Sequence, residues 1–411
     1  MATSRPDTTL NLTTLEIPEQ EYAGRIASLQ AQLEAHGFDG YCVFGPTRVS
    51  YLTGFFYAAT ERPIALVVPR EGNVGLLIPR LEVDHVAKQC PNLQHVVTYP
   101  EYPGGGSGKH PLSFLLELLG VLGLRPGNLA TDHDGYENRW GYRGPKLSAL
   151  LGQDVSERLE FVDDLRMVKS EVEIALIEEA CRWGDHAHHL LQQSIRVGGS
   201  ELVISHEASL QATRDLLAEL GARYVPKARE GMPAQAMFIA GGNTANPHGL
   251  HEQRGVRAGD VLVTGAFALV GGYESELERT MIVGDPDATF VRYFDAMVAA
   301  QDAAFAALRP GRRCCDVERD VSDFIRDELG MSDLTRHHTG HAFGLEGHEH
   351  PFLDLDDETL IEPGMIFSLE PGLYVPGLAG FRHSDTVLVT DSGCRNLCRY
   401  PRDLASLVVA A

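Results

Sequence analysis

The chain has 411 residues, 44% hydrophobic and 22% charged, with a formal net charge of 35 − 57 = −22. That length suits two or three domains of roughly 100–200 residues. The acidic balance, with no basic stripe or lysine cluster, argues against a nucleic-acid or anionic-membrane surface and fits the handling of small molecules. Residues 1–18 read as a loose polar arm without the apolar core of a secretory signal. Glu21 to His36 then reads as an amphipathic helix, with Ile26, Leu29 and Leu33 at helical spacing and Gly37 as its stop. GYCVFGP (40–46) predicts a short buried strand, and PIALVVPREGNVGLLIPR (63–80) a hairpin about a Glu-Gly-Asn turn. A helix is expected near 81–89, a loop at 100–111 and a helix in LSFLLELLGVLG. Strands and helices alternate to about 160, which predicts an α/β domain.

A capping box, Ser170 with Glu173, opens a long helix, and a second helix is expected over 200–220. His186, His188 and His189 fall within the first of these and read as a solvated or partly packed helix face. Strands then dominate, broken by helices near 287–308 and 314–329. The domain boundary is expected at 160–170. No apolar run approaches ~18 residues, so no transmembrane helix is expected. The seven cysteines are scattered without CxxC spacing. They read as reduced thiols of a cytoplasmic protein, packed rather than metal-binding.

Residues suited to chemistry gather in four segments of the second half. GGNTANPHG (241–249) presents His248 after a turn. VLVTGAFALVGGYESELERT (261–280) predicts a hairpin turning near Gly271-Gly272, with Glu276, Glu278 and Thr280 on one face of its second strand. Carboxylates so placed repel each other unless a cation faces them. HHTGHAFGLEGHEHP (337–351) carries five histidines, of which His337 and His350 read equally well as surface residues. In the fourth segment Glu370 ends an apolar strand before Pro371-Gly372, and FRHSDTVLVT follows. Glu370 suits a pocket, and it suits a structural pair with Arg279 or Arg382 equally well.

The order and character of these segments resemble the pita-bread superfamily of prolidases, Xaa-Pro aminopeptidases, methionine aminopeptidases and creatinase. YLTGF (51–55) and ERP (61–63) are similar to the N-terminal domain of the creatinase and prolidase branch. The resemblance implies an α+β chain: an α/β creatinase-type domain over 1–165, then a pita-bread catalytic domain over 166–411. It also implies a homodimer, with the partner completing the active-site mouth and Arg62 anchoring a substrate carboxylate.

Metallopeptidases of the superfamily hold two divalent ions with two aspartates, a histidine and two glutamates. The resemblance places these on Gly265, Glu276, His341, Glu370 and Ser384, so two of five ligands are lost. Creatinase, the metal-free branch, also has a phenylalanine and LERT in its hairpin, as in Phe267 and Leu277–Thr280. Its correspondence implies His248 as the catalytic histidine, with Glu278 and Glu370 holding a substrate cation. His341 and His348 would position water or the oxyanion, with Phe267, Glu276, Arg62 and Arg382 binding substrate. The expectation is a metal-independent, creatinase-like hydrolase of a C–N bond in a small cationic or peptide-like substrate, with no cofactor. The alternative is a diverged Xaa-Pro dipeptidase or aminopeptidase using one ion (Mn, Zn or Co) on Glu276, His341 and Glu370. A second alternative is a non-catalytic homologue that binds small molecules.

Overall fold

The first apolar period becomes α1 (Glu19–His36), which buries Leu29 and Leu33 and stops where Gly37 adopts φ 75°. The computed structural model that carries these elements describes residues 13–100, 108–136, 141–228 and 231–411. Most of the expected arm at 1–18 and of the loop at 100–111 lies outside the described residues. The chain divides into two compact units, Ile17–Arg166 and Met167–Ala411, with residues 13–16 joining the second.

In the first unit α1 is followed by β1 (Gly40–Val43), α2 (Pro46–Thr53), β2 (Ala65–Pro69), β3 (Gly75–Pro79), α3 (Val83–Gln89) and β4 (His95–Tyr99). Then come α4 (Leu115–Val121), β5 (Leu129–Thr131), α5 (Leu147–Leu151), β6 (Ser156–Glu157) and α6 (Glu160–Met167). The strands form one mixed sheet in the order β4-β3-β2-β1-β5-β6. β2 and β3 pair antiparallel, as the Glu-Gly-Asn turn predicts. β1, β2 and β3 are buried at every position, which is why they read as continuous apolar runs.

The second unit opens with α7 (Glu171–Ser194), and both hydrogen bonds of its Ser170–Glu173 capping box are present. Its buried stripe includes Leu176, Ile177, Ala180, Trp183, Ala187 and Leu191. Gly184 sits in this stripe because a Cβ there would lie 3.0 Å from Ser275 Oγ, so the helix comes close to the sheet. α8 (Glu201–Leu220), β7 (Ala234–Ala240), β8 (Val261–Val270), β9 (Tyr273–Glu274), β10 (Leu277–Val283), α9 (Ala288–Ala307) and α10 (Cys314–Asp327) follow. The chain ends with β11 (Gly340–Ala342), β12 (Glu349–Leu353), β13 (Ile366–Leu369), β14 (Gly372–Val375), β15 (Ala379–Arg382), β16 (Ser384–Thr390), β17 (Gly393–Asn396) and β18 (Val408–Val409). The main sheet runs β12-β11-β13-β16-β10-β8-β7, with β17, β18 and β9 paired at its sides and β14–β15 as a separate ribbon.

Two expectations are corrected here. The second strand of the hairpin is interrupted at Ser275-Glu276, and Thr280 is covered because its hydroxyl and the Arg382 backbone exchange bonds of 2.8 and 3.0 Å. His188 is not solvated: it is fully buried and bonds Thr264 Oγ1 through Nε2 at 2.6 Å. All seven cysteines are free thiols.

Arg279 resolves one alternative left open by the sequence. It pairs with Asp385 at 2.7 Å, both side chains fully buried, and also donates to the carbonyls of Glu278, Ser384, Tyr400 and Pro401. Arg279→Met should therefore cost about 3–5 kcal/mol, because the buried Asp385 would lose its 2.7 Å cation and keep only the Gln301 amide at 2.9 Å and Arg402 at 3.8 Å. Urea unfolding measures this, and a loss below about 1 kcal/mol would contradict the assigned pairing.

Candidate active site

The hairpin, β13, β11 and β16 converge on one face of the main sheet. Gly265, Glu278 and Ser384 form a single row, since Glu278 pairs with Gly265 on one side and with Ser384 on the other. Residues paired directly across neighbouring strands project to the same face. Glu276 stands just before β10 on that face, His341 pairs with Ser368 across β11 and β13, and Glu370 follows β13.

Glu276, His341 and Glu370 each present a ligand atom, all within 4.8 Å of one another. His341 Nε2 lies 3.7 Å from Glu276 Oε2 and 3.4 Å from Glu370 Oε1. Both distances exceed an ordinary hydrogen bond. They match the ~3.4 Å edge of a tetrahedron whose ligands sit about 2.1 Å from a zinc-like ion. His341 Nδ1 donates to the Ala342 carbonyl at 3.2 Å, which leaves Nε2 aimed at the two carboxylates. Ser384 and Ser368 hydroxyls donate to Glu276 Oε1 at 2.7 and 2.8 Å and hold its other oxygen toward His341. This is the donor set and the outer support that a divalent ion uses.

The electrostatics agree. Burial, and then the Glu370 charge, push the Glu276 carboxyl up. Burial opposes a proton on His341, but Glu370 and Glu276 outweigh it and raise the imidazole to about 9. Glu370 is held down to about 2, against burial, by its contact with His341 and the Arg382 charge. With no ion present, the positive charge between the carboxylates is the His341 proton.

The expected substrate-cation position is differently filled. The cation beside Glu278 is Arg382, whose Nη2 donates to Glu278 Oε1 at 2.5 Å and whose Nε contacts Glu278 Oε2 and lies 4.0 Å from Glu370 Oε2. Arg382 Nη1 also donates to Tyr374 Oη at 3.3 Å, and Tyr374 bonds His337 Nε2 at 2.7 Å. His337 is therefore not a surface residue but the end of this chain of bonds. Glu278 is largely buried and paired with Arg382, one of the cations the sequence offered for it.

His348 stacks on His341 with ring centroids 3.8 Å apart. Burial and the charges of His341, His338 and His248 lower its pKa, which places His248 within electrostatic reach. His248 itself is exposed. The fully buried Glu201 staples its loop by accepting from Ala240 N and Glu252 N at 3.1 Å each. Phe267 lies on the same face of β8 as Gly265. Arg62 belongs to the first unit, where it pairs with Glu61 at 2.7 Å.

Ser368 and Tyr374 were missed in the sequence. Ser368 stands two residues before Glu370, so strand alternation could have found it. Tyr374 carried no comparable signal.

The sequence matches metallopeptidase family M24 over residues 175–391 and the creatinase/prolidase N-terminal domain over residues 25–168. It is 30% identical to "Probable dipeptidase PepE" of Mycobacterium tuberculosis over 95% of this chain and 97% of that protein. It is 32% identical to the Xaa-Pro dipeptidase of Pyrococcus furiosus over 60% of this chain and 67% of that one. Among solved structures, dipeptidase PepE from Mycobacterium ulcerans superposes with a TM-score of 0.80 at 26% identity, covering 96% of this chain and 100% of that one. The architecture is thus a creatinase-type N-terminal domain followed by a pita-bread domain.

Proposed function

The chain belongs to metallopeptidase family M24 and is a hydrolase of C–N peptide bonds, and from that premise we propose that it is a dipeptidase working with one divalent ion. The single observation that carries this reading is the Glu276–His341–Glu370 cluster, whose 3.4 and 3.7 Å separations suit coordination and not direct hydrogen bonding. The earlier expectation of a metal-independent, creatinase-like enzyme is not supported. The family is one of metallopeptidases, its full-length relatives include probable dipeptidases, and Arg382 takes the place meant for a substrate cation.

When bound, such an ion supplies Lewis acidity toward a peptide carbonyl and toward water. The remaining chemistry falls to side chains of this chain. Glu370 is ionised and faces the cluster, so it can take a proton from water. His348, kept neutral beside His341, can hydrogen-bond the substrate carbonyl side. His248, on its stapled loop, can deliver a proton to the leaving nitrogen.

The test is hydrolysis of a dipeptide panel that includes Xaa-Pro dipeptides. Activity should disappear after chelation and return with one equivalent of Mn, Zn or Co. Full turnover by protein shown by elemental analysis to hold no metal would overturn the reading. The pH dependence has a definite sign. Below about pH 9 an incoming ion must displace the His341 proton, so apparent affinity should rise roughly tenfold per pH unit toward 9 and then level off. Titrations at pH 6, 7 and 8 that give one affinity would contradict this arrangement.

A further inference from the structure

The resemblance places two carboxylate ligands of a five-ligand, two-ion centre on Gly265 and Ser384, neither of which carries a carboxylate, and both flank one residue. Gly265 and Ser384 lie on either side of Glu278 in the same cross-strand row. A Cβ at Gly265 would lie 3.7 Å from Glu278 Oε1 and 3.8 Å from its Cγ, so the Glu278 side chain covers the space above the glycine. The Arg382 guanidinium donates to that carboxylate through Nη2, and its Nε is in ionic contact with Glu278 Oε2 and 4.0 Å from Glu370 Oε2. Ser384 has turned its hydroxyl to Glu276. A cation already stands in this half of the centre, and it is part of the chain.

We propose that the Glu278–Arg382 pair replaces a second metal ion: the centre takes one ion on Glu276, His341 and Glu370 and uses the guanidinium as its fixed second positive charge. The inference rests on the single-ion reading above and adds why a second ion is shut out. Three features favour the pair over simple ligand loss. A guanidinium pairs with a carboxylate through a charge-assisted hydrogen bond and stays charged when buried. Arg382 is held from behind by Tyr374 and His337 and through its backbone by Thr280, so its position is built in. Glu278 would otherwise be a buried carboxylate beside Glu276 and Glu370, an arrangement that needs a neutralising cation.

Stoichiometry and magnetism test this without an activity assay. Each protein is dialysed against Mn(II), its metal is counted, and its electron paramagnetic resonance spectrum is recorded. Wild type should bind one ion per chain and show the spectrum of isolated Mn(II). Gly265→Asp with Ser384→Glu restores two carboxylates but keeps the pair, and it should still bind one. Adding Arg382→Met to these two should bring the count to two, with the spectrum of coupled ions about 3.5–4 Å apart. Arg382→Met alone frees the Glu278 carboxylate and should admit a second, weaker ion. Two ions in wild type or in the double variant would overturn the replacement, as would an unchanged single-ion titration in Arg382→Met. No bound ion in wild type would instead strike the single-ion reading. Circular dichroism and a melting curve identify any variant that fails to fold, and the Arg382→Met and wild-type arms decide without the triple variant.

Discussion

Glu370→Gln is expected to bind a divalent ion at least ~10²-fold more weakly than wild type and to lose essentially all peptidase activity. The substitution preserves shape but removes a ligand charge from a buried cluster. Even partners outside the coordination sphere are worth about 10–100-fold in affinity, so a direct ligand is worth no less. The side chain is also the proposed acceptor of the water proton, so saturating metal should not restore turnover. Glu276→Gln removes a ligand without that second role, and added manganese should partly rescue it. Calorimetry of Mn(II) binding, with turnover at saturating metal, separates the two. Wild-type affinity in Glu370→Gln, or silence of both variants, would remove the cluster from the mechanism.

His248→Ala is expected to lower kcat by about 10²–10⁴-fold, the usual weight of a positioned general acid or base. Its metal count and melting temperature should stay those of wild type. The side chain is exposed and its loop is anchored independently of it. Glu201 holds both ends, and Thr244 accepts from Gly380 N at 2.9 Å. Truncation therefore removes an imidazole and little else. His248 is not among the residues whose ligand atoms gather for an ion, so the proposed proton donor is separate from that cluster. Turnover near wild type would exclude the role. A lower melting temperature with lost metal would make His248 structural.

The sequence alone was enough for most of the elements and for the segments that carry the candidate site residues. The capping box at Ser170–Glu173, the hairpin about residues 70–74 and the helices near 287–308 and 314–329 depend on local periodicity and turn chemistry, which a short window contains. Glu276, His341 and Glu370 were legible because each belongs to a motif of glycine, proline and charged residues beside an apolar strand. His188 was misjudged because a helix face is buried or solvated according to what packs on it. Here that partner is Thr264, 76 residues away.

Only the tertiary structure decided which cation answers which carboxylate. In the sequence the cation facing the hairpin carboxylates is read as a substrate cation, Arg279 or Arg382 ahead of a pair of metals, with no means of choosing among the first three. The fold turns Arg279 to Asp385 and carries Arg382, 104 residues from Glu278, onto the carboxylate beside Gly265. Pairing of charges depends on distances of a few ångströms between strands far apart in the chain, and on burial that raises the cost of any charge left alone. Residue type and spacing determine which groups can meet. Strand register determines which of them do.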